Sequence, residues 1–171
     1  MDLEVETKGL DAILNTLQEI NPKMAKQAAR AAGRRAATAG RLAGIKEICN
    51  VYAIRSSVIK KRTRIERIDD GAVLHVFGPF ENVKTYKARQ NSRGLFVTIK
   101  RGNEFKVPRG FAYGDHFMKR EGKARLPIRG VVGPAIPQLF QNPQVMEALQ
   151  KRAGEVFEDR LYHEIDHRLK G

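Results

Sequence analysis

The run HEIDH, from His163 to His167, has the residue types and spacing for metal chemistry. On a helix the two histidines lie one turn apart on one face and could share a zinc ion, with Glu164 placed to activate a metal-bound water. A catalytic zinc also needs a third protein ligand and keeps its fourth position for water. In enzymes with this motif that ligand lies downstream, whereas here only Arg168, Leu169, Lys170 and Gly171 follow. No spacing singles out an upstream ligand, His116 and Glu158 included. Asp166 puts a charge where a buried catalytic helix is usually apolar, and Ile165 belongs to an apolar stripe. The histidines are expected to be solvated helix residues, the next reading being a surface metal site, and the peptidase reading fails.

No other catalytic constellation replaces it. The sequence has no Walker-type glycine loop and no G-x-S-x-G elbow, and Gly130-Val-Val-Gly133-Pro134 lacks the Lys-Ser/Thr of a phosphate loop. Cys49 is the single cysteine and has no histidine near it in sequence, so neither an intrachain disulfide nor a cysteine nucleophile is expected. The expectation is a binding or assembly protein with no enzymatic activity, cofactor or resident metal.

The elements that position these residues follow from periodicity. Leu3 and Val5 alternate with acids, which suits a short strand, and residues 9–20 carry Leu10, Ile13, Leu14 and Leu17 at helical spacing. Asn21-Pro22 opens a second, longer helix, with Asn21 as N-cap and Pro22 at the first position, running to about Cys49. Ser56 or Ser57 is a candidate cap for one helical turn, SSVIKKR. Short segments of β texture fill the region 50–110, among them VYAI, TRIERID, AVLHVFG, GLFVTIKRG and EFKVPRGF, separated by Gly, Asp and Asn. LPIRGVVGPAIPQLF (126–140) holds three prolines and is expected to be irregular. Asn142-Pro143 opens a closing helix with Val145, Leu149, Ala153, Val156, Leu161, Ile165 and Leu169 on one stripe. This order predicts an α+β fold in one domain of 171 residues, a mainly antiparallel sheet packed with a long Ala/Arg-rich helix and a long C-terminal helix. Its parts are a helical stretch 1–50, a β-rich stretch 51–125, a Pro/Gly loop 126–142 and the helix 143–171.

Charge sets the expected partners. The formal net charge is +13, yet residues 1–19 hold five acids against Lys8, while residues 20–142 hold 26 bases against 8 acids. Such a block calls for an anionic partner: nucleic acid, an acidic protein surface, or acidic copies of its own ends. On the long helix Ala25, Ala29, Ala32, Ala36, Ala39 and Ala43 fall within about 40° of one line. Lys23, Lys26, Arg30, Arg34 and Arg41 lie near the opposite line, which makes a packed alanine seam under a basic face. Arg55, Lys60, Lys61, Arg62 and Arg64 form a second basic cluster. Lys84, Lys87, Arg89, Arg93, Lys100 and Arg101 form a third, in a segment that reads as an outward hairpin or loop. Aromatic residues beside these bases are few and tryptophan is absent, so neither a stacking platform for single strands nor sequence-specific readout is expected; contact with a phosphate backbone stays open, beside the favoured protein partner. No apolar run approaches transmembrane length and the first residues lack a signal-peptide core, so a soluble protein of a reducing cytoplasm, with no membrane partner, is expected.

RLPIRGVVGPAIPQLF (125–140), followed by QVMEALQKRAGEVFEDRL, resembles the signature end of the phage minor tail protein Z family. GLDAILNTL resembles that family's opening helix, and the Ala/Arg-rich helix leading to IKEICNVYAIRSSVIKKR resembles its helix and junction, with VYAI in place of a more polar Tyr-Asn-Ile type. LFVTIKRG and FAYGDHFMKREGKARLPI resemble its strand pair before the proline segment. The resemblance implies a structural virion protein, made in the host cytoplasm, that completes the tail and joins it to the head. It implies a homo-oligomeric ring, a hexamer, with tail terminator or tail tube, neck or connector proteins and lumenal DNA as neighbours. The contact candidates are then Lys26, Arg30, Arg34, Arg41, Arg55, Lys60, Lys61 and Arg62 for a partner or DNA. Ile128, Val131, Val132, Ile136, Leu139 and Phe140, held in shape by the prolines, are candidates for an interface. The other reading is a cellular basic nucleic-acid-binding protein.

Overall fold

Asn21 caps the long helix as its position predicts: its side-chain oxygen accepts a hydrogen bond from the Met24 backbone N–H at 3.1 Å. Helix α1 then runs over Pro22–Val51. The computed structural model describes residues 2–3, 15, 19, 21–68 and 71–170, apart from the side chains of Asp2, Leu3 and Leu169. Most of the predicted helix 9–20 and the opening strand beyond Leu3 lie outside the described residues. Beyond α1 come α2 (Ser56–Lys61), α3 (Ile136–Phe140) and α4 (Pro143–Lys170). The strands are β1 (Asp2–Leu3), β2 (Thr63–Ile68), β3 (Gly71–Val76), β4 (Phe80–Asn82), β5 (Lys87–Asn91), β6 (Gly94–Thr98), β7 (Glu104–Val107), β8 (Gly110–Tyr113), β9 (His116–Arg120), β10 (Ile128–Gly130) and β11 (Val132–Ala135). Their pairings are antiparallel, so the class is α+β with long N- and C-terminal helices, as predicted. The strands form small separate sheets instead of one.

The chain divides into two interleaved compact units. The first comprises residues up to Gly44, Thr63–Val76 and Pro143 onwards. It holds the sheet β1-β3-β2 and α4. Ala28 and Ala32 of α1 are buried with Leu161 of α4, and Phe157 and Ile165 pack beside them. The alanine seam is only partly the one predicted. Ala25, Ala32 and Ala36 are buried, but Ala29, Ala39 and Ala43 are half-exposed, and the buried line passes instead to Gly40 and Gly44. Backbone proximity explains this shift. A Cβ on Gly40 would stand 3.0 Å from the Ala153 Cβ and 3.2 Å from the Leu149 carbonyl, and one on Gly33 would stand 3.3 Å from the Gly71 Cα. Small residues therefore sit where α4 and β3 come closest.

The second unit comprises Ile45–Arg62 and Phe77–Asn142. It contains the sheets β5-β6-β7, β10-β9-β8 and β11-β4 around a core of Val83, Leu95, Val97, Val107 and Val131. The segment 84–94 reads correctly as a hairpin, since Lys87 pairs with Thr98 and Asn91 with Gly94. Three local expectations are corrected. VYAI is not a strand: Val51 ends α1 and Tyr52 makes a single bridge to Lys100. Neither Ser56 nor Ser57 caps α2, whose N-cap is Arg55 without a side-chain cap bond. The stretch 126–140 is regular after all, forming β10, β11 and α3. Its prolines fall where no N–H is needed. Pro134 lies where the β11–β4 ladder shifts register between Val132 and Ala135, and Pro137 lies in the first turn of α3.

Tyr86 ties this segment down. It is buried, and its hydroxyl donates to the Pro134 carbonyl at 2.7 Å. Burial, then the charge of Glu81 and the neighbouring Tyr52, raises its pKa far above the ordinary phenol value, so it stays a donor. Its ring edge would lie 2.8 Å from a Cβ on Gly133, which therefore must be glycine.

The buried seam makes a direct test. Ala32→Leu should overpack the cluster with Leu161 and destabilise the protein by about 1–3 kcal/mol, read as a lower urea midpoint at unchanged slope. An equal substitution at the half-exposed Ala43 should cost clearly less; equal costs would mean that the seam is not close-packed.

Candidate interaction surfaces

The HEIDH residues lie on α4 with their chemistry already engaged. His163 and His167 are exposed, and Ile165 packs on the Ala28–Ala32–Leu161 cluster. The Glu164 carboxylate is bound by Arg168 one turn on, and Asp166 accepts a bond from Lys170 at 2.7 Å. The hydrogen bond from Arg168 holds the Glu164 carboxyl below the usual glutamate range, helped by the charges of Arg168, His163 and His167 and opposed by slight burial. Among the described residues no group of three His, Cys, Asp or Glu side chains could hold a metal ion. Burial pushes the Cys49 thiol up against the opposing charges of Arg101 and Lys60, which disfavours the thiolate.

The basic candidates divide between fold and surface. Arg41 does not face a partner: it donates to the Thr63 hydroxyl at 2.9 Å and to the Thr63 carbonyl at 3.1 Å, joining α1 to the buried start of β2. Arg62 is likewise structural. Its Nε lies 3.2 Å from Glu81, its stem lies against Gly78, and its carbonyl accepts from Phe77. Arg30 and Arg34 are half-buried while Lys23 and Lys26 of this face are exposed, so the face is no uniform solvated stripe. The Arg34 Nε is buried without a hydrogen-bond partner among the described residues. Lys60 and Lys61 are exposed in the last turn of α2, where cations complement the helix dipole. Of the third cluster, Arg89 forms a two-pronged pair with Glu104 at 2.8 and 3.1 Å, and Arg101 donates to the Cys49 carbonyl at 2.7 Å.

Two larger concave surfaces among the described residues lie within the second unit. The first is a groove of about 620 Å³. Buried Val83, Val107 and Val131 form its floor, Phe105, Pro108 and Val132 its apolar wall, and Arg109, Lys119 and Arg120 a basic edge. Arg109 takes φ 55 in the β7–β8 turn, and the Arg120 guanidinium stands 5.0 Å from the Phe111 ring centre. Of the six apolar candidates only Val132 is largely exposed, at 56 %. Val131, Ile136, Leu139 and Phe140 are buried in the core and Ile128 is half-buried, which corrects their assignment to an interface. The physical reason is that α3, with Pro137 in its first turn, carries Ile136, Leu139 and Phe140 inward, while Val131 joins the core of Val83, Leu95, Val97 and Val107.

The second surface is a pocket of about 840 Å³ in which three distant stretches of sequence meet. Arg55 comes from the α1–α2 junction, Lys84 lies within the 3-10 turn Val83–Thr85 and Lys87 opens β5 just after it, and Asp115 and His116 come from the β8–β9 turn and the start of β9. Lys84 and Asp115 form an ion pair at 2.7 Å; the Lys84 hydrogen bond and charge, with His116 adding, hold the Asp115 carboxyl below the usual aspartate range. In the sequence Arg55 and the lysines fall in separate clusters, Asp115 falls in none, and His116 stands out only as a remote zinc-ligand candidate. The only signal for them is the turn itself, Tyr-Gly-Asp-His, with Gly114 at φ 54. The chain matches no family model, no curated protein and no solved structure.

The Glu164–Arg168 pair has a definite pH signature. A lowered folded pKa means that its stabilisation is present above the unfolded glutamate value and is lost as pH falls through the folded one. Glu164→Gln should cost about 0.3–0.5 kcal/mol at pH 7, the usual range for such partly exposed helix pairs. The difference from the parent should vanish in thermal melts at acid pH, whereas a difference independent of pH would assign Glu164 a packing role instead.

Proposed function

We propose that this chain is a structural virion protein of a bacteriophage tail, a tail completion protein of the minor tail protein Z type, without catalytic activity. It would act as a homo-oligomeric ring at the head-proximal tail end, between tail terminator or tube and neck or connector proteins. The order of a long Ala/Arg-rich helix, antiparallel β strands, a proline-bearing segment and a long closing helix agrees with that resemblance. The observation that carries the reading is the apolar surface of the second unit. Phe77, Phe80, Phe105, Tyr113, Leu126 and Val132 are 43–67 % exposed, and the groove beside Phe105 and Val132 has a basic edge. Large exposed apolar side chains rimmed by charge mark protein–protein contact. The groups able to do chemistry favour the same reading, since Glu164, Asp166 and Asp115 are engaged in ion pairs.

Negative-stain images and sedimentation of the purified protein test this. Rings of uniform size are expected. Phe80→Lys with Val132→Lys should leave folding nearly intact, because both side chains are mostly exposed, and should shift the protein to monomer. A parent chain that stays monomeric at all concentrations, together with tight nucleic-acid binding, would favour the cellular nucleic-acid-binding alternative.

A further inference from the structure

The pocket at Arg55, Lys84 and Lys87 is built unlike the apolar groove. Its apolar lining consists of short or buried groups, Ala53, Val58, Ala88 and Tyr86, none of them a large exposed side chain. A protein segment binds through a few buried anchors seated in matching pockets, and this surface offers no such seat. It offers cations at spaced points around an open concavity. The Arg55 side chain makes no ion pair or hydrogen bond among the described residues, and both Arg55 and Lys87 are exposed. The one anion inside, Asp115, is held by Lys84.

We propose that this pocket binds the phosphodiester backbone of nucleic acid, and that the Asp115 carboxylate occupies on Lys84 the position a phosphate oxygen takes when the backbone docks. Backbone phosphates need only correctly spaced positive charge, with no side-chain anchor and no reading of bases. Asp115 then acts as an internal competitor. Its pair with Lys84 keeps the lysine oriented, and its charge lowers affinity until several phosphates engage together. The site neither requires ring formation nor implies it, so it stands or falls apart from the tail reading.

Fluorescence anisotropy of a labelled 20-base-pair duplex in low salt tests the proposal, with assembly state followed separately by sedimentation. Arg55→Gln with Lys87→Gln should weaken binding at least tenfold and make the salt slope shallower by about 1.8, the loss of two phosphate contacts. Asp115→Asn should strengthen binding several-fold, an effect that loss of folding cannot mimic. Two duplexes of unrelated sequence should bind alike. Arg93→Gln with Lys151→Gln removes the same charge from exposed positions outside the pocket and should change affinity less than threefold. Equal losses in the two double variants would reduce the effect to overall charge and overturn the proposal. So would unchanged or weaker binding by Asp115→Asn, or displacement of the duplex by poly-glutamate at matched charge, which would assign the pocket to an acidic protein.

Discussion

The close approach of backbones is what the first unit depends on. Its long helix offers mostly alanine and glycine to the interior, and such residues bury little apolar area. They stabilise only if the neighbouring elements come near enough for dispersion contacts to add up. Gly40 against Ala153 and Leu149, and Gly33 against Gly71, set those distances. The larger side chains come from the other partner: Leu149, Phe157, Leu161 and Ile165 of α4 reach across to the small face. A helix rich in small residues is therefore no weak element here, provided its neighbour supplies the bulk. Arg41 adds a polar tie to Thr63 at the same helix, which is why a cation on the supposed outer face proves to be part of the frame.

The second unit is organised around a different constraint, the fit of Tyr86 over Gly133 with its hydroxyl on Pro134. This contact sets the segment carrying Val131 and Val132 against the segment carrying Lys84 and Lys87. The basic pocket and the apolar groove thus share a foundation: Val83 lies in the core and lines the groove, while the next residue, Lys84, lines the pocket. Alternate faces of one short turn serve two chemically different surfaces.

Charge is divided by the same logic. Arg41, Arg62, Arg89, Arg101 and Arg168 spend their donors on carbonyls, a hydroxyl or carboxylates of the chain itself. Arg55, Lys87, Lys119 and others stay at the surface. An excess of positive charge at neutral pH leaves a repulsive surplus that an anionic partner would relieve. The protein's surplus is thus smaller in effect than its total charge suggests, and part of it lines the two concave surfaces of the second unit.

The sequence alone determined what depends on neighbours along the chain. The Asn21 cap, the proline starts of α1 and α4, the apolar stripe of α4 and the β2–β3 and β5–β6 pairs follow from capping, periodicity and turn chemistry, which act over a few residues. The solvated histidines of HEIDH belong here too, as do its carboxylates Glu164 and Asp166, whose partners Arg168 and Lys170 lie one turn away. Tertiary structure decided the rest. Whether Arg41 meets solvent or Thr63, whether Phe140 is exposed or in the core, and that Arg55 and Asp115, sixty positions apart, line one pocket all depend on distances between segments remote in sequence. The prolines of 126–140 mark where an N–H is missing, but only the register of β11 on β4 shows that none was needed there. Periodicity has no term for that pairing; the packed backbone does.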